Sequence, residues 1–386
     1  SASALTQIPP TSPGDLQANQ RSFFCVPEEK FIKVFTTSGT TSAPKKAYFT
    51  QQDIDSIINS SVTGMQLLYN ITPHDIVRMT FEEGYGTEIW GNRYCLEHTF
   101  GEIGALTLVT GRLKIEDELK ILLDYKPTVF MDVSSRINYL TTELKKLYDL
   151  DTLGITRILL GAEPTPNTMR KKIEEVWGTN VYMGYGTTEL GMNMAGECEE
   201  KHGMHMTETN FFTEVIDPQT GEHLEDGEIG ELVFTTLNRD GMPFIRYQSH
   251  DLGRIMPDLC PCGLPLRKLE IKGRTDDMLP IGAGDNLFIR MFDDILFGQP
   301  EVIEYQAIFE RKDGKDHITI IAETSSITDD LREKIFKGLM ELPEINNGVH
   351  ISHTVAPPNI QLVKQNTLDR KSIKQKRLLD KRNLYD

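Results

Sequence analysis

Between residues 76 and 185, short apolar runs alternate with segments whose apolar residues recur at helical spacing. The runs are 76–81, 104–109, 128–131, 157–160 and 181–183, and the helical segments are 115–125, 137–147 and 169–177. Strands that alternate with helices predict a parallel sheet, and ligands of such sheets bind beyond the carboxyl ends of the strands. One predicted strand is followed by Gly161, Ala162 and Glu163, and the next is followed by residues 185–189. Both stretches are therefore expected at the ligand-binding edge of the sheet.

The pattern changes beyond residue 211, where short β runs are separated by turn signals at 217–221, 226–227 and 239–241. This texture predicts a small antiparallel β subdomain over 213–255. A new pattern follows, with predicted helices at 289–297 and 328–339 and predicted strands at 302–309 and 317–323. The expected fold class is therefore α/β. A large N-terminal α/β domain (1–275) has a parallel sheet plus the small β subdomain, and a smaller, mobile α+β C-terminal domain (276–386) follows.

Charge and composition exclude several classes of partner. The net charge of −16 argues against a general nucleic-acid surface, because phosphate backbones require a basic stripe. No apolar run approaches the ~20 residues of a membrane span, so no membrane partner is expected. Five cysteines without a disulfide-rich pattern, and no visible signal peptide, favour a cytoplasmic location. A homodimer is compatible with the sequence.

Residues 36–46, T-T-S-G-T-T-S-A-P-K-K, follow an apolar run at 31–35 and contain small hydroxyl residues and one glycine. Such a loop brings backbone N–H groups and hydroxyls close to phosphate oxygens, because nothing bulky blocks the approach. It lacks the Walker spacing G-x-x-x-x-G-K-[ST]. Taken alone, the loop has two interpretations, a solvated connection or a phosphate-binding loop.

Four motifs in order resemble those of adenylate-forming enzymes. Residues 36–46 resemble the phosphate loop S-G-T-T-G-x-P-K, and the other three are Y-G-T-T-E at 185–189, R-Y-Q-S-H-D-L at 246–252 and G-R-T-D-D-M-L at 273–279. The stretch G-E-L-V-F-T-T-L, a C-x-C and a basic end similar to R-x-x-G-K-x-x-R resemble the phenylacetate–CoA ligase branch. The similarity covers residues 31–382. Family members carry a longer portion before the phosphate loop, so part of the usual first subdomain is expected to be missing or replaced.

The resemblance implies an ATP site with Mg²⁺. The loop residues that would cradle the leaving phosphates are Thr37, Ser38, Gly39, Thr40 and Thr41. Lys45 would add a positive charge there, with a solvated loop lysine as the alternative. Ser42 stands where the family has glycine, which reduces the freedom of the backbone.

Further nucleotide contacts are implied for the later motifs. Tyr185 would flank the adenine, Thr188 would contact the α-phosphate, and Glu189 would bind Mg²⁺, a hard ion that prefers oxygen ligands. Asp251 would accept hydrogen bonds from both ribose hydroxyls, and Arg274 would contact the ribose or a phosphate. The remaining residues implied in cofactor binding are Gly161, Ala162, Glu163, Gly186 and Thr187. Met183 replaces the Asp or Asn that often recognises adenine, which leaves base specificity open.

The resemblance also places the catalytic lysine and the hinge. Lys374 takes the lysine position of the basic C-terminal motif, with Lys371 and Lys376 as alternatives because Ile373 replaces the usual glycine. A mobile ammonium neutralises charge that moves between the carboxylate and the α-phosphate only when its domain has closed. Asp276 occupies the hinge position between the two domains.

Residues 82–90 suggest a tight backbone course beside a pocket, because glycines flank Tyr85 and Trp90 follows closely. The matching stretch of the resembling ligases lines the acyl pocket, and Gly184 is expected there too. A glycine-rich turn with a packed aromatic residue is the alternative. The two aromatic side chains favour an aromatic or small apolar acid.

A second set of candidate ligands consists of Cys198, His205, Cys260 and Cys262. Three sulfur ligands and one nitrogen ligand suit a closed, structural Zn²⁺ site. His202 is a competing ligand, and unbound thiols beside a surface histidine are the alternative. A metal there would fix the loops that follow two of the nucleotide motifs.

These features predict a ligase that converts a carboxylic acid and ATP into acyl-AMP and pyrophosphate and then transfers the acyl group to coenzyme A. Its partners would be the small-molecule acid, ATP and coenzyme A. One alternative is an adenylyltransferase that moves AMP to a cofactor hydroxyl, as in relatives that act on a deazaflavin coenzyme. The other is a non-catalytic nucleotide sensor.

Overall fold

The computed structural model describes residues 5, 7–36, 45–80, 91–275, 278–282, 285–368 and 377–382. The α-helices of this part of the chain are α1 (Pro13–Ala18), α2 (Gln51–Tyr69), α3 (Gly91–Ile103), α4 (Ile115–Tyr125), α5 (Ser134–Leu144), α6 (Asn167–Trp177), α7 (Ile289–Leu296), α8 (Asp329–Met340) and α9 (Pro343–His350). Short 3₁₀ helices span Gln20–Phe23, Glu28–Lys30 and Leu150–Leu153. None of the helices described is long and apolar enough to cross a membrane.

The strands of the first half are β1 (Phe31–Thr36), β2 (Lys46–Thr50), β3 (Ile76–Thr80), β4 (Leu106–Thr110), β5 (Val129–Val133), β6 (Arg157–Gly161), β7 (Asn180–Tyr185), β8 (Ala195–Glu197) and β9 (Met204–Met206). Those of the second half are β10 (Phe211–Ile216), β11 (Gly230–Thr236), β12 (Tyr247–Met256), β13 (Lys268–Arg274), β14 (Met278–Ile281), β15 (Asp285–Phe288), β16 (Val302–Lys312), β17 (Lys315–Thr324), β18 (Asn359–Lys364) and β19 (Leu378–Asp380).

The chain divides into two compact units. One contains residues 1–133, 151–162 and 179–272, and the other contains 134–150, 163–178 and 273–386. Each unit is therefore assembled from separate stretches of sequence, whereas the sequence-based domains are continuous. The domain boundary at residues 275 and 276 stays a prediction.

The first unit is built on one mixed sheet whose described strands have the order β10-β11-β12-β13-β9-β8-β7-β6-β5-β3-β4. Strands β3 to β7 pair in parallel, as predicted. In these strands Val77, Val129, Ile158 and Val181 are fully buried, which is typical of parallel strands covered on both faces.

The antiparallel strands extend this same sheet. β7 has the parallel neighbour β6 on one side and the antiparallel neighbour β8 on the other, and β9 and β13 continue the antiparallel order. The predicted small β subdomain is antiparallel, with β10, β11 and β12 paired in sequence. The short strands β8 and β9 connect it to the parallel strands, so it is not a detached sheet.

Helix α2 follows the β1–β2 hairpin. Its N-terminus has a capping box, in which Thr50 Oγ1 accepts from the Asp53 N–H and an Asp53 carboxylate oxygen accepts from the Thr50 N–H. Ile54, Ile57 and Met65 are buried along one face, and the left-handed Asn70 ends the helix.

The N-terminal segment contains a short capped helix before β1. Ser12 and Asp15 form a capping box at the start of α1, and Pro13 occupies its first position. The Thr11 N–H donates to the Arg246 carbonyl, and the Gln248 N–H donates to the Thr11 carbonyl, both at 2.9 Å. The segment is thus hydrogen-bonded to the strand that carries Asp251.

The second unit has the α+β composition that the sequence predicted for the C-terminal part. Its four-stranded sheet has the order β18-β17-β16-β19, with an antiparallel β16–β17 hairpin and a parallel strand on each side. Strands β14 and β15 form a separate hairpin. Phe292, Tyr305 and Phe309 lie in the buried core of this unit.

Candidate functional site

The carboxyl ends of β6 and β7 lie side by side, as the predicted parallel sheet requires. Leu160 pairs with Met183, so Gly161 and Gly184 are adjacent and the Y-G-T-T-E motif leaves the sheet beside them. Ala162 has a φ of +66°, so the chain turns sharply after β6. These residues therefore occupy the edge at which such sheets bind ligands.

The turn after β7 depends on Gly186. A Cβ atom at this position would lie 2.7 Å from the Asn193 nitrogen and 2.9 Å from the Met192 Cα atom, so a side chain would collide with backbone. The Thr187 carbonyl accepts from the Met192 N–H at 2.9 Å, which folds the turn back on itself. Thr188 lies half-buried within this turn, immediately before Glu189.

Tyr185 and Asp251, from two different motifs, contact each other directly. The Tyr185 hydroxyl donates to Asp251 Oδ2 at 2.6 Å, and the Asp251 N–H donates to Ser249 Oγ at 3.1 Å. Asp251 is buried. A carboxylate held in this way is oriented before a ligand arrives and retains lone pairs for further hydroxyl donors.

Glu189 is the centre of a three-residue cluster. Lys45 Nζ lies 2.5 Å from Glu189 Oε1, and the Tyr247 hydroxyl donates to the same oxygen at 2.8 Å. Lys45 also donates to the Tyr247 oxygen at 3.2 Å. Burial opposes ionisation of Glu189, but the Lys45 ammonium and the Tyr247 hydroxyl bring the pKa of this carboxyl below its ordinary value.

A buried arginine supports this cluster from behind. The Arg239 guanidinium donates to the Glu189 carbonyl and lies 4.3 Å from the ring centre of Phe49 and 5.0 Å from that of Phe244. Burial lowers the pKa of Arg239 to about 10, so it is still charged at neutral pH. Arg239 connects β2, which follows the predicted phosphate loop, to the backbone of Glu189.

The four residues of the proposed zinc site also come together. Their ligand atoms all lie within 4.8 Å of one another. Cys198 Sγ is 3.5 Å from Cys260 Sγ, and Cys262 Sγ is 3.3 Å from His205 Nε2. His202 lies instead beside Asp258, with its Nδ1 atom 3.5 Å from an Asp258 carboxylate oxygen.

The sheet explains how the sequence assembles this cluster. Cys198 follows β8, His205 lies in β9, and the two other cysteines precede β13, which pairs with β9. Glu197, which precedes Cys198, accepts a hydrogen bond from the N–H of Met183 at 2.8 Å. The cluster is therefore connected to the strand that leads into Tyr185.

Two family models match the chain. The model described as AMP-binding enzyme matches residues 8–238, and that of the AMP-binding enzyme C-terminal domain matches residues 284–382. The chain belongs to the AMP-binding enzyme family. The resemblance to adenylate-forming enzymes that the four motifs indicated is thereby confirmed.

Curated relatives of this AMP-binding enzyme include phenylacetate–CoA ligases. The one from Aromatoleum evansii is 33% identical over 325 residues, which cover 83% of this chain and 72% of the relative. The one from Thermus thermophilus is 30% identical over 380 residues, covering 92% and 83%. These matches confirm the phenylacetate–CoA ligase-like branch that the sequence indicated.

Solved structures share the fold at lower identity. A 2-hydroxyisobutyryl-CoA ligase in complex with 2-HIB-AMP has a TM-score of 0.81 and 22% identity, covering 97% of this chain and 80% of the other. An anthranilate CoA ligase in complex with anthranoyl-AMP has a TM-score of 0.64 and 16% identity, covering 90% and 65%. The predicted combination of a large α/β domain and a separate α+β C-terminal domain is the fold of this AMP-binding enzyme.

Several predicted site residues of this AMP-binding enzyme lie outside the described residues. They are Thr37, Ser38, Gly39, Thr40, Thr41, Tyr85, Trp90, Asp276 and Lys374, together with the alternatives Lys371 and Lys376. The predicted phosphate loop connects β1 to β2, whose residues Thr36 and Lys46 pair with each other. The roles assigned to these residues stay predictions.

Glu163 makes a contact that its predicted role did not include. Its carboxylate accepts from the Ser135 N–H at 3.0 Å and from Ser134 Oγ at 3.2 Å, so it caps the start of α5. Its assignment to the nucleotide site stays a prediction, as does that of Arg274, the last residue of β13.

Two residues that contact Glu189, Tyr247 and Arg239, had no role predicted from the sequence. Tyr247 lies inside the predicted 246–252 motif, so its position was a usable signal even though no role was assigned to it. Arg239 lies in a segment interpreted only as a turn, and nothing local distinguishes a buried arginine from a solvated one. Both residues act on Glu189 through tertiary contacts.

Proposed function

We propose that this AMP-binding enzyme is an ATP-dependent ligase that activates a carboxylic acid as acyl-AMP and transfers the acyl group to coenzyme A. Its curated relatives include phenylacetate–CoA ligases, and solved structures of the same fold contain acyl-AMP or coenzyme A. An aromatic acid of the phenylacetate class is the proposed substrate, in agreement with Tyr85 and Trp90 in the predicted acyl pocket.

The observation that carries this proposal is that two buried carboxylates link the 185–189 and 246–252 motifs, because Asp251 accepts from Tyr185 and Glu189 accepts from Tyr247. Asp251, held by Tyr185, offers lone pairs to the two ribose hydroxyls. Glu189 already bonds a cation, Lys45, through an oxygen atom. Its donor chemistry therefore fits Mg²⁺, which would neutralise phosphate charge when bound.

The remaining residues serve the adenylation step. In that step a carboxylate oxygen of the acid attacks the α-phosphorus of ATP, and the bond to the leaving pyrophosphate breaks. Lys45 lies near the end of the predicted phosphate loop, where its ammonium would stabilise the negative charge that develops on the leaving pyrophosphate. Thr188 is assigned to the α-phosphate, and Lys374 to the charge that moves between acid and phosphate.

In the second step the thiol of coenzyme A attacks the acyl carbonyl carbon, AMP leaves, and a thioester forms. The proposal keeps Asp276 as the hinge that allows the C-terminal domain, 276–386, to serve both steps. The domain boundary and the hinge rest on the family resemblance.

The same proposal includes one structural Zn²⁺ per chain, held by Cys198, His205, Cys260 and Cys262. A tetrahedral site with Zn–S bonds of about 2.3 Å has sulfurs about 3.8 Å apart, close to the 3.5 Å between Cys198 and Cys260. His205 Nδ1 lies 3.3 Å from the Leu266 carbonyl, so a proton on Nδ1 donates there and Nε2 keeps its lone pair. Burial lowers the pKa of His205, which favours the neutral ring that a metal requires.

A cytoplasmic location is part of the proposal. None of the five cysteines, Cys25, Cys95, Cys198, Cys260 and Cys262, forms a disulfide bond, in agreement with a reducing compartment.

A pyrophosphate-release screen tests the proposed function. The protein is incubated with ATP, Mg²⁺ and a panel of aryl and short-chain acids, with and without coenzyme A. We expect pyrophosphate with an aromatic acid, and an acyl-CoA thioester when coenzyme A is added. Pyrophosphate released only when a deazaflavin with a free hydroxyl replaces the acid would favour the adenylyltransferase alternative. No pyrophosphate with any acid or with that acceptor would favour the nucleotide sensor.

A further inference from the structure

A fully buried lysine lies beside the proposed zinc ligands. Lys268 is the first residue of β13, and its side chain is 0% exposed. It stands directly opposite the ligand His205 in the antiparallel β9–β13 pair. A buried ammonium is costly unless it is paired, so this position needs a reason.

The Lys268 ammonium contacts both loops that carry the proposed ligands. It lies 2.9 Å from an Asp258 carboxylate oxygen and 3.4 Å from His202 Nδ1. Asp258 precedes Cys260 by two residues, and His202 lies between Cys198 and His205. One side chain therefore connects the 198–205 loop to the 258–262 loop.

These contacts also give His202 a position outside the ligand set. When Nδ1 accepts a hydrogen bond from the Lys268 ammonium, this nitrogen is not available to a metal. His202 Nδ1 also lies 3.5 Å from the Asp258 carboxylate, so the three side chains form one cluster beside the thiols. His202, the alternative ligand considered from the sequence, is not among the four residues whose ligand atoms lie within 4.8 Å of one another.

The positive charge of Lys268 also affects the electrostatics of the proposed metal centre. Three thiolates, one neutral imidazole and Zn²⁺ have a net charge of −1. Asp258 is half-exposed, so water screens its charge, whereas the Lys268 side chain is excluded from solvent. A positive charge held in this way is favourable beside a negatively charged metal centre.

We propose that Lys268 is a positioning residue of the metal site, which holds the two ligand-bearing loops together and compensates the negative charge of the zinc–thiolate centre. This inference rests on the zinc site of the proposed function. It concerns metal retention and does not depend on which acid the enzyme activates.

The test compares zinc affinity among variants. Each protein is purified without added zinc, its zinc content is measured, and the metal is withdrawn by competition with the chromophoric chelator 4-(2-pyridylazo)resorcinol. We expect Lys268→Met to bind zinc about 10- to 100-fold more weakly, the range typical of lost partners around metal ligands. Lys268→Arg, which keeps the charge, should lose much less.

Lys272→Met is the matched control, because Lys272 lies in the same strand and pairs with Glu270 rather than with the ligand loops. It should keep the parent's affinity. Asp258→Asn leaves the lysine in place and weakens only its ion pair, so it tests the proposal if Lys268→Met fails to fold. We expect a smaller but measurable loss of zinc affinity for this variant.

Unchanged affinity in Lys268→Met, or in Asp258→Asn where the first variant does not fold, would overturn the proposal. Equal losses in Lys268→Met and Lys272→Met would also overturn it, because they would indicate general damage to β13. Parent protein without zinc would remove the metal site and this inference together. Pyrophosphate release by that same protein would show that the ligase assignment stands independently.

Discussion

Replacing Tyr185 by phenylalanine removes one hydroxyl group from the candidate ribose site. This hydroxyl donates a 2.6 Å hydrogen bond to Oδ2 of Asp251, a residue that is 5% exposed. The aromatic ring, which packs with its centroid 6.1 Å from that of Phe234, is retained in the variant. The substitution therefore separates the orientation of the carboxylate from stacking by the ring.

The structure sets the expected size of the effect. Hydrogen bonds to charged groups contribute about 1.5–3 kcal/mol net. Part of this free energy is recovered when water or the ribose donates to the Asp251 lone pair that the Tyr185 hydroxyl occupied. We therefore expect a loss of about 1–2 kcal/mol of binding free energy, or a roughly 5- to 30-fold higher Kd for ATP. Asp251→Ala removes the acceptor itself and should weaken ATP binding further while the fold stays intact.

Isothermal titration calorimetry with α,β-methylene ATP and Mg²⁺ measures this affinity without turnover. Tyr182→Phe is the matched control, because Tyr182 lies in the same strand and packs against Tyr69, with ring centres 5.4 Å apart. It should bind like the parent. A Kd for Tyr185→Phe within twofold of the parent's, or an equal loss in the control, would refute the proposed role of this hydrogen bond.

Three further predictions concern other parts of the chain. Parent protein should contain about one zinc, and Cys260→Ser should lose zinc and lower the Tm, as metal analysis and thermal melting would show; full metal content and an unchanged Tm would contradict this. Lys374→Ala should slow adenylation by orders of magnitude but leave thioester formation from supplied acyl-AMP nearly unchanged; equal loss in both half-reactions would exclude this lysine. Burial raises the pKa of Asp293 from 3.8 to about 6, so the folded state binds this proton more tightly. Its contribution to the unfolding free energy should therefore fall as pH rises from about 4 to about 6, by roughly 3 kcal/mol. Denaturant unfolding should show that the free energy of unfolding declines less with pH in Asp293→Asn than in the parent. The exposed control Asp294→Asn should follow the parent. Parallel pH dependences for all three proteins would be evidence against a raised pKa of Asp293.

The parallel part of the fold was predictable because its signal is local. Each of β3, β5, β6 and β7 is an apolar run, and helices with clear apolar spacing separate most of them. The continuous sheet was not predictable, because it depends on β8 and β9, which have three residues each. Strands this short do not establish an alternation of apolar and polar residues.

The candidate site shows the same division between local and tertiary signals. Asp251 and Glu189 were found because each lies in a motif whose order along the chain is specific. The bond from Tyr247 to Glu189 joins residues 58 positions apart, and no local pattern indicates such a contact. The N-terminal helix, by contrast, had a readable signal in Ser12, Pro13 and Asp15, a capping box that the sequence analysis did not use.

In the proposed reaction the carboxylate of the acid attacks the α-phosphorus of ATP directly. Phenylacetate labelled with ¹⁸O in both carboxylate oxygens tests this in a complete reaction with ATP, Mg²⁺ and coenzyme A. Acyl-AMP formation followed by thiol attack leaves one ¹⁸O atom in the phosphate of AMP and one in the thioester carbonyl. Mass spectrometry should therefore find AMP heavier by one ¹⁸O and unlabelled pyrophosphate. Unlabelled AMP, or label in inorganic phosphate, beside the same thioester product would show that the carboxylate does not attack the α-phosphorus.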